Sequence, residues 1–501
     1  MNYLEQARKY EEKYSKIISD EERPLYHITP AIGWLNDPNG FSWYNGKYHL
    51  FYQYMPYQTR WSPMMHWGHV ESEDLIHWER KPVFMAPEAD YETGCYSGSA
   101  IIDPDGSHLI MYTAHYQSLP DEDAENPIFE ESVETQCIIK GDGTTYERLP
   151  ENPVIGIHDM PEGGKPADFR DPCIWYENGE YFCVLAIRML ETGLGSIVIY
   201  KSYDAVNWEY RGVLMKNDGR FGQMWECPDF FEVDKKSILI LSATDVQNFD
   251  PCFRGGHCAY AFIGDYDKIG MDFRDDSCQN LDLGFDFYAP QTILTPDGRR
   301  VLIAWMADPD GAKCAPTGYK WNGQMTFPRE LRIKNGHLYQ MPIREIEECY
   351  DSAVSATGQA ADETSFDGIR GKTVDITVEA DGKGKYLKDF CMKFAVDDKD
   401  PDRKYVSVEY DGVTNRLVVD RSHAGRTASI ENRREVEIRG EENGKKLKLR
   451  VLLDRFSFEI FVNDGSEVLS GTLYESDPAW DGITFKAPDA ELNIVCLTLK
   501  Y

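Results

Sequence analysis

Apolar side chains recur at Leu4, Ala7, Tyr10, Tyr14, Ile17 and Ile18, the spacing of one helical face. The pattern predicts a short leading helix over residues 3–18, closed by Pro24. After it the period changes. Short apolar and aromatic runs alternate with Gly, Pro, Asn and Asp, which is the signature of strands joined by turns.

Within those runs a unit recurs five times: a polar segment, a strand, a tight turn and a second strand. The copies are NDPNGFSWYNGKYHLFYQY, CYSGSAIIDPDGSHLIMYTA, RDPCIWYENGEYFCVLAI, ECPDFFEVDKKSILILSA and FYAPQTILTPDGRRVLIAWM. Their turns fall at Asn45-Gly46, Asp105-Gly106, Asn178-Gly179, Asp234-Lys235 and Asp297-Gly298. Asn-Gly and Asp-Gly tolerate positive φ at both central residues of a hairpin. A second echo, S-x-D-x-x-x-W, ends in Trp78 and again in Trp208. Each such unit needs neighbours to cover its faces, and a repeat of roughly 60 residues is of the propeller kind.

The pattern changes after Arg344. Residues 346–364 are poor in aromatics and read as a connector, and alternation resumes from about residue 365, as in LKLRVLLDRFSFEIFVNDG. The expectation is an all-β chain, a five-bladed β-propeller followed by a C-terminal β-sandwich, with a short N-terminal helix. Its parts are an N-terminal extension (1–24), the propeller (25–345), a linker (346–364) and the sandwich (365–501).

Composition narrows the partners. The 501-residue chain has a formal net charge of −32, which repels phosphate backbones and argues against nucleic acid and anionic membranes. The first residues are charged throughout, with no apolar core of signal-peptide length. No run approaches the ~20 apolar residues of a membrane span. The 12 cysteines form no CxxC pair, and Cys252, His257 and Cys258 lack zinc-site spacing. Free thiols in a reducing cytoplasm are therefore expected, with neither metal nor cofactor, and association into a homo-oligomer is left open.

In a propeller the innermost strands line a central channel. Each unit opens with its most polar segment, so Asp37, Asp171 and Glu226 are expected to converge there from three blades. A glycosidase needs one carboxylate to attack or activate water and one carboxylic acid to protonate the departing oxygen.

These residues carry a resemblance. Trp34-Leu35-Asn36-Asp37-Pro38-Asn39-Gly40, Phe169-Arg170-Asp171-Pro172 and Glu226-Cys227-Pro228-Asp229 resemble the three signature motifs of the invertase and fructanase family, glycoside hydrolase family 32. Gln53, Trp61, the segment Gly94 to Ser99, Asp286 to Ala289, Trp305-Met306, Pro328 to Leu331 and Asp454 to Gly465 match further family segments in order. The resemblance implies that Asp37 is the nucleophile, Glu226 the general acid/base, and Asp171 the residue that holds fructose hydroxyls. It implies a fructose pocket drawn from Asn36, Gln53, Trp61, Tyr96, Ser97, Arg170, Tyr288 and Trp305. A small carbohydrate would be the partner: sucrose, sucrose 6-phosphate or a short fructooligosaccharide, hydrolysed with retention.

That mechanism asks for a raised pKa at Glu226 and an ionised Asp37, with Arg170 as its compensating charge. Leu35, Met55, Met64 and Met65 depart from the family pattern and are expected in loops at the channel mouth. Three alternatives remain at this level: a fructosyltransferase sharing the intermediate, an inverting five-bladed glycosidase on arabinan or xylan, and a non-catalytic sugar-binding propeller.

Overall fold

A computed structural model describes residues 2–117, 132–247, 255–310, 319–400, 404–426, 431–439 and 444–500. Cys252 lies outside them. The leading helix spans Tyr3–Tyr14, capped by the Asn2 side chain, which accepts from the Glu5 amide. It buries Ala7 and Glu11, and the Glu11 carboxylate accepts from the Val83 amide. The helix is shorter than expected. Ile17 and Ile18 are β-branched, and Ser19 begins a new 3-10 turn in which the Glu22 carboxylate accepts from the Ser19 amide.

The five-bladed propeller is present. Each blade is one antiparallel sheet, with innermost strands Gly33–Tyr44, Gly94–Ile102, Gly164–Glu177, Trp225–Val233 and Tyr288–Leu294. The two-residue strand Trp321–Asn322 runs parallel to Gly33–Tyr44, so chain from beyond the fifth blade's second strand pairs with the first blade. The five turns fall where expected. Asn45-Gly46, Asn178-Gly179 and Asp234-Lys235 have positive φ at both residues, whereas at 105–106 and 297–298 only the glycine does.

The S-x-D-x-x-x-W echo is one turn used twice. Asp74 accepts from the His77 amide and the Trp78 indole donates to the Leu75 carbonyl; Asp204 accepts from the Asn207 amide and the Trp208 indole donates to the Ala205 carbonyl. Leu75 and Ala205 both sit in the left-handed region.

The C-terminal region is a curled, sandwich-like sheet of ten strands around one apolar core. Its longest strand, Gly482–Leu499, pairs with Phe390–Val396 through its first part and with Val374–Asp381 through its second, and so passes from one layer to the other. The expected connector at 346–364 is a correction. Residues 344–349 form a 3-10 turn, and Tyr350–Thr364 is a mostly exposed strand along Gly482–Leu499. Backbone pairing to that long strand, rather than side-chain burial, holds it in place.

Several family-like segments serve the contact between the two domains. The buried Arg329 guanidinium donates to Glu459 and Ser470 of the sandwich and to Asp282 of the propeller. Arg421 pairs with Asp286. His27 lies between Asp454, 2.8 Å from Nδ1, and Glu459, 2.9 Å from Nε2. No helix among the described residues is long and apolar enough to cross a membrane.

Burial opposes the His27 charge, but hydrogen bonds and attraction to the two carboxylates win, raising its pKa to about 9. A folded pKa above the ordinary 6.5 places this contribution fully below pH 6.5 and removes it as pH rises through about 9. His27→Gln leaves two buried carboxylates short of a cation and should cost roughly 3–5 kcal/mol near pH 6. Thermal unfolding should show the gap to wild type narrowing by pH 9.5; a gap independent of pH would contradict the assignment.

Candidate active site

The innermost strand of every blade breaks register at the same level. The breaks lie between Leu35 and Pro38, Tyr96 and Gly98, Arg170 and Cys173, Glu226 and Asp229, and Tyr288 and Gln291. Bulges of this kind re-aim side chains out of a sheet. In the last three blades the residue before proline is left-handed: Asp171 at φ 65°, Cys227 at 48° and Ala289 at 49°. That conformation is unfavourable for a non-glycine residue and for one preceding proline.

What holds it is a side chain. The Asp171 amide donates to Thr113 Oγ1, the Cys227 amide to Asp171 Oδ2 and the Ala289 amide to Ser242 Oγ, each at 2.9 Å. The Gly98 amide donates to Asn39, the Thr292 amide to Asp229 and the Phe41 amide to Gln291. Every one of the five junctions between neighbouring blades thus carries a backbone-to-side-chain bond. Further along the same strands, toward the hairpin turns, the five blades enclose a separate cavity of about 780 Å³ walled in part by Trp43, Trp175 and Phe230.

The three carboxylates converge within this ring. Asp37 Oδ2 accepts from Ser97 Oγ at 2.9 Å, and Cys227 Sγ lies 3.7 Å from the same oxygen. The next residue, Glu226, accepts from Arg170 Nη2 at 2.7 Å and from the Tyr288 hydroxyl at 2.6 Å. Aligned on the following proline, Asp37, Asp171 and Cys227 are equivalent, while Glu226 matches Asn36 and Arg170 one residue earlier. The acids are therefore staggered between two adjacent positions of the repeat.

Residues 27–342 match the glycosyl hydrolases family 32 N-terminal domain, and residues 345–500 the family 32 C-terminal domain. The chain belongs to glycoside hydrolase family 32. It is 31% identical over 469 residues to a sucrose-6-phosphate hydrolase of Zymomonas mobilis, covering 90% of this chain and 85% of that one. It is 32% identical over 467 residues to a raffinose invertase of Escherichia coli, covering 92% of each. Among solved structures, the Bombyx mori family 32 β-fructofuranosidase BmSUC1 superposes with a TM-score of 0.81 at 31% identity, over 99% of this chain and 98% of that one.

The remaining expected residues lie unevenly around the three carboxylates. Asn36 accepts from the Trp34 indole and hydrogen-bonds Asp37. Gln53 is buried and donates to the Cys95 carbonyl. Tyr96 stacks on His115 with ring centroids 4.2 Å apart, and the half-exposed Trp61 meets Tyr96 edge-on. Trp305 is buried and packs edge-on against Trp34, one layer behind Asn36. Leu35 and Met55 are core residues rather than loop residues at the mouth, because they lie in the strand pair Trp34↔Met55 and Leu35↔Tyr54; Met65, just ahead of the strand His66–Ser72, is also buried, and Met64 alone of the four is exposed.

Two electrostatic expectations are corrected. Burial pushes Glu226 up, but the charge and hydrogen bond of Arg170, with the Tyr288 hydroxyl, bring it below the usual range. Arg170 does not pair with Asp37. Its partners are Glu226, Asp168, Glu134 and, at 3.9 Å, Asp171. Asp37 is raised by burial and by the neighbouring Glu226 charge, against the hydrogen bonds of Asn36 and Ser97. Asp171 is pushed up to about 7, mainly by burial.

Sequence reasoning missed Glu134, His115, Asp168 and Thr113. Thr113 is the penultimate residue of the second repeat copy, as Ser242 is of the fourth, and that recurrence is its signal; Glu134, His115 and Asp168 fall outside the repeated unit, and the sole signal at Glu134 is a Glu-Thr-Gln opening to a largely apolar strand. Among the described residues one cluster has metal-ligand composition, His49, His69 and Glu71 on the first blade. Glu71 is already paired with Lys47 and Lys81, and His49 Nδ1 lies 3.1 Å from His69 Nε2. Two ammonium groups on the only carboxylate disfavour a cation there.

Ser97→Ala removes a hydrogen bond to the Asp37 carboxylate and should raise the Asp37 pKa further. A bond to a charged group is worth ~1.5–3 kcal/mol, so the acid limb of kcat/KM should move up by about one pH unit. An unmoved limb would show that Ser97 does not stabilise the ionised carboxylate.

Proposed function

We propose that this chain releases terminal non-reducing β-D-fructofuranosyl units from sucrose, sucrose 6-phosphate or short fructooligosaccharides, with Asp37 as nucleophile and Glu226 as general acid/base. As a family 32 glycosidase it works with retention through a fructosyl-enzyme on sucrose- or fructan-type substrates. The observation that carries the assignment of roles is the convergence of two differently held carboxylates. Asp37 has Ser97 and Asn36 as neutral donors, whereas Glu226 has a cation and a phenol.

In this reading the fructosyl hydroxyls accept from Arg170 and donate to Asp171, and the ring excludes water from Glu226. Both changes favour the protonated acid. Glu226 then gives its proton to the bridging oxygen as Asp37 attacks the anomeric carbon, and the leaving group departs. Glu226, now a carboxylate, deprotonates the incoming water, which attacks the fructosyl–Asp37 ester and restores Asp37. The names of the Zymomonas and Escherichia relatives refer to sucrose 6-phosphate and raffinose, and they support a sucrose-type bond with a variable remainder. A cytoplasmic enzyme without nucleic-acid partners completes the proposal, supported by ten described cysteines that form no disulfide with one another and by the charge of −32.

Glu226→Ala should lose ~10²–10⁴-fold on sucrose but far less on a fructoside with a good leaving group, and azide should partly restore turnover. Asp37→Ala should be inactive on both. Equal losses for Glu226→Ala on both substrates, without azide rescue, would refute the assignment.

A further inference from the structure

In the proposed mechanism Glu226 begins the reaction as an acid, yet it rests 2.7 Å from a guanidinium that favours its ionised form. The same guanidinium has other claims on it. Arg170 Nη1 lies 3.0 Å from Asp168 Oδ1 and 3.3 Å from Glu134 Oε2. These claims are unequal. Asp168 has two further cations, Arg188 at 2.9 Å and Lys165 at 3.4 Å. Asp171 is held by the Cys227 amide.

Glu134 is different. Its side chain is 4% exposed, and Arg170 is the one Lys or Arg paired with it among the described residues. Its other neighbour is His115, with Nδ1 3.4 Å away and the ring committed to stacking on Tyr96. A buried carboxylate with a single full cation holds that cation firmly, because losing it leaves an uncompensated charge in a poorly solvated place.

We infer that Glu134 is a positioning residue that divides the Arg170 guanidinium between itself and Glu226, so that Glu226 can carry its proton when the leaving group departs. The inference rests on the acid/base reading of Glu226. Glu134 touches neither Asp37 nor Glu226 in any described contact; it acts through Arg170. Around Glu226 the charged or titratable neighbours are Arg170, Tyr288, His257, Asp37, Asp171 and Cys227. Around Glu134 they are Arg170, His115 and Tyr96. Removing the Glu134 charge removes a repulsion on the Glu226 carboxylate and leaves more of the Arg170 charge to it. Both effects lower the pH at which Glu226 gives up its proton.

Glu134→Gln keeps the size and a hydrogen-bonding oxygen but deletes the charge. On sucrose the basic limb of kcat/KM should move down by about one pH unit, a roughly tenfold loss above the limb. A fructoside with a good leaving group scarcely needs protonation, and its kcat/KM should stay within about twofold of wild type. In Glu134→Asp, which keeps the charge but shortens the reach, the limb should fall between the two; this variant decides the question if Glu134→Gln does not fold.

An unmoved limb in a folded variant overturns the inference. So do equal losses on both substrates, which would make Glu134 a packing residue only. Glu226→Ala measured alongside separates the two levels. Equal losses there bring down the acid/base reading and this inference with it, whereas acid/base behaviour there with an unmoved limb in Glu134→Gln brings down this inference alone.

Discussion

A backbone amide that leaves its own sheet and bonds to a side chain at the junction of two blades is the contact on which the site depends. A propeller blade satisfies its backbone internally, but the bulge on each innermost strand frees amides that must find partners. Thr113, Asp171 and Ser242 supply them at the three left-handed residues. Asp171 therefore has a structural duty as well as a place in the pocket, since the oxygen that accepts from Cys227 also fixes the strand carrying Glu226. Shape and chemistry share one carboxylate.

The second constraint is the scarcity of positive charge. Asp37, Asp171, Glu226, Glu134 and Asp168 crowd a small buried region, and Arg170 is the cation that reaches four of them. Asp37 is outside its ion pairs and relies on neutral donors. The division separates the two key carboxylates chemically: one oxygen pair faces a hydroxyl and an amide, the other faces a guanidinium and a phenol. In the proposed mechanism, substrate hydroxyls entering this region compete for the same donors, and this competition would link fructose binding to the protonation of Glu226.

Much of the fold was legible because hairpin turns and channel-facing acids are local signals. The Asn-Gly turns have the positive φ that their composition implies, and the tryptophan echo reflects a repeated set of turn hydrogen bonds. What was not legible is non-local. Tyr350–Thr364 becomes a strand through pairing with a segment more than a hundred residues away, although its own small, polar residues bury little. Arg329, Asp286 and Asp454 stand in segments that the resemblance matched without giving them a role, and only the fold shows that they bind the two domains together. The Glu226 environment was misjudged for the same reason. Its acidity depends on a guanidinium 56 residues distant, and that guanidinium is shared with Glu134, which no motif marks.

The central claim is that Asp37 carries the fructosyl group between the two halves of the reaction. The most direct measurement is to quench Glu226→Ala during turnover of a fructoside with a good leaving group and map the labelled peptide by mass spectrometry. Loss of the general base slows release, so the intermediate should accumulate, with one fructosyl residue esterified to Asp37. A label on Asp171 or Glu134, or unlabelled protein in a variant that still liberates the leaving group in a rapid burst, would contradict the account.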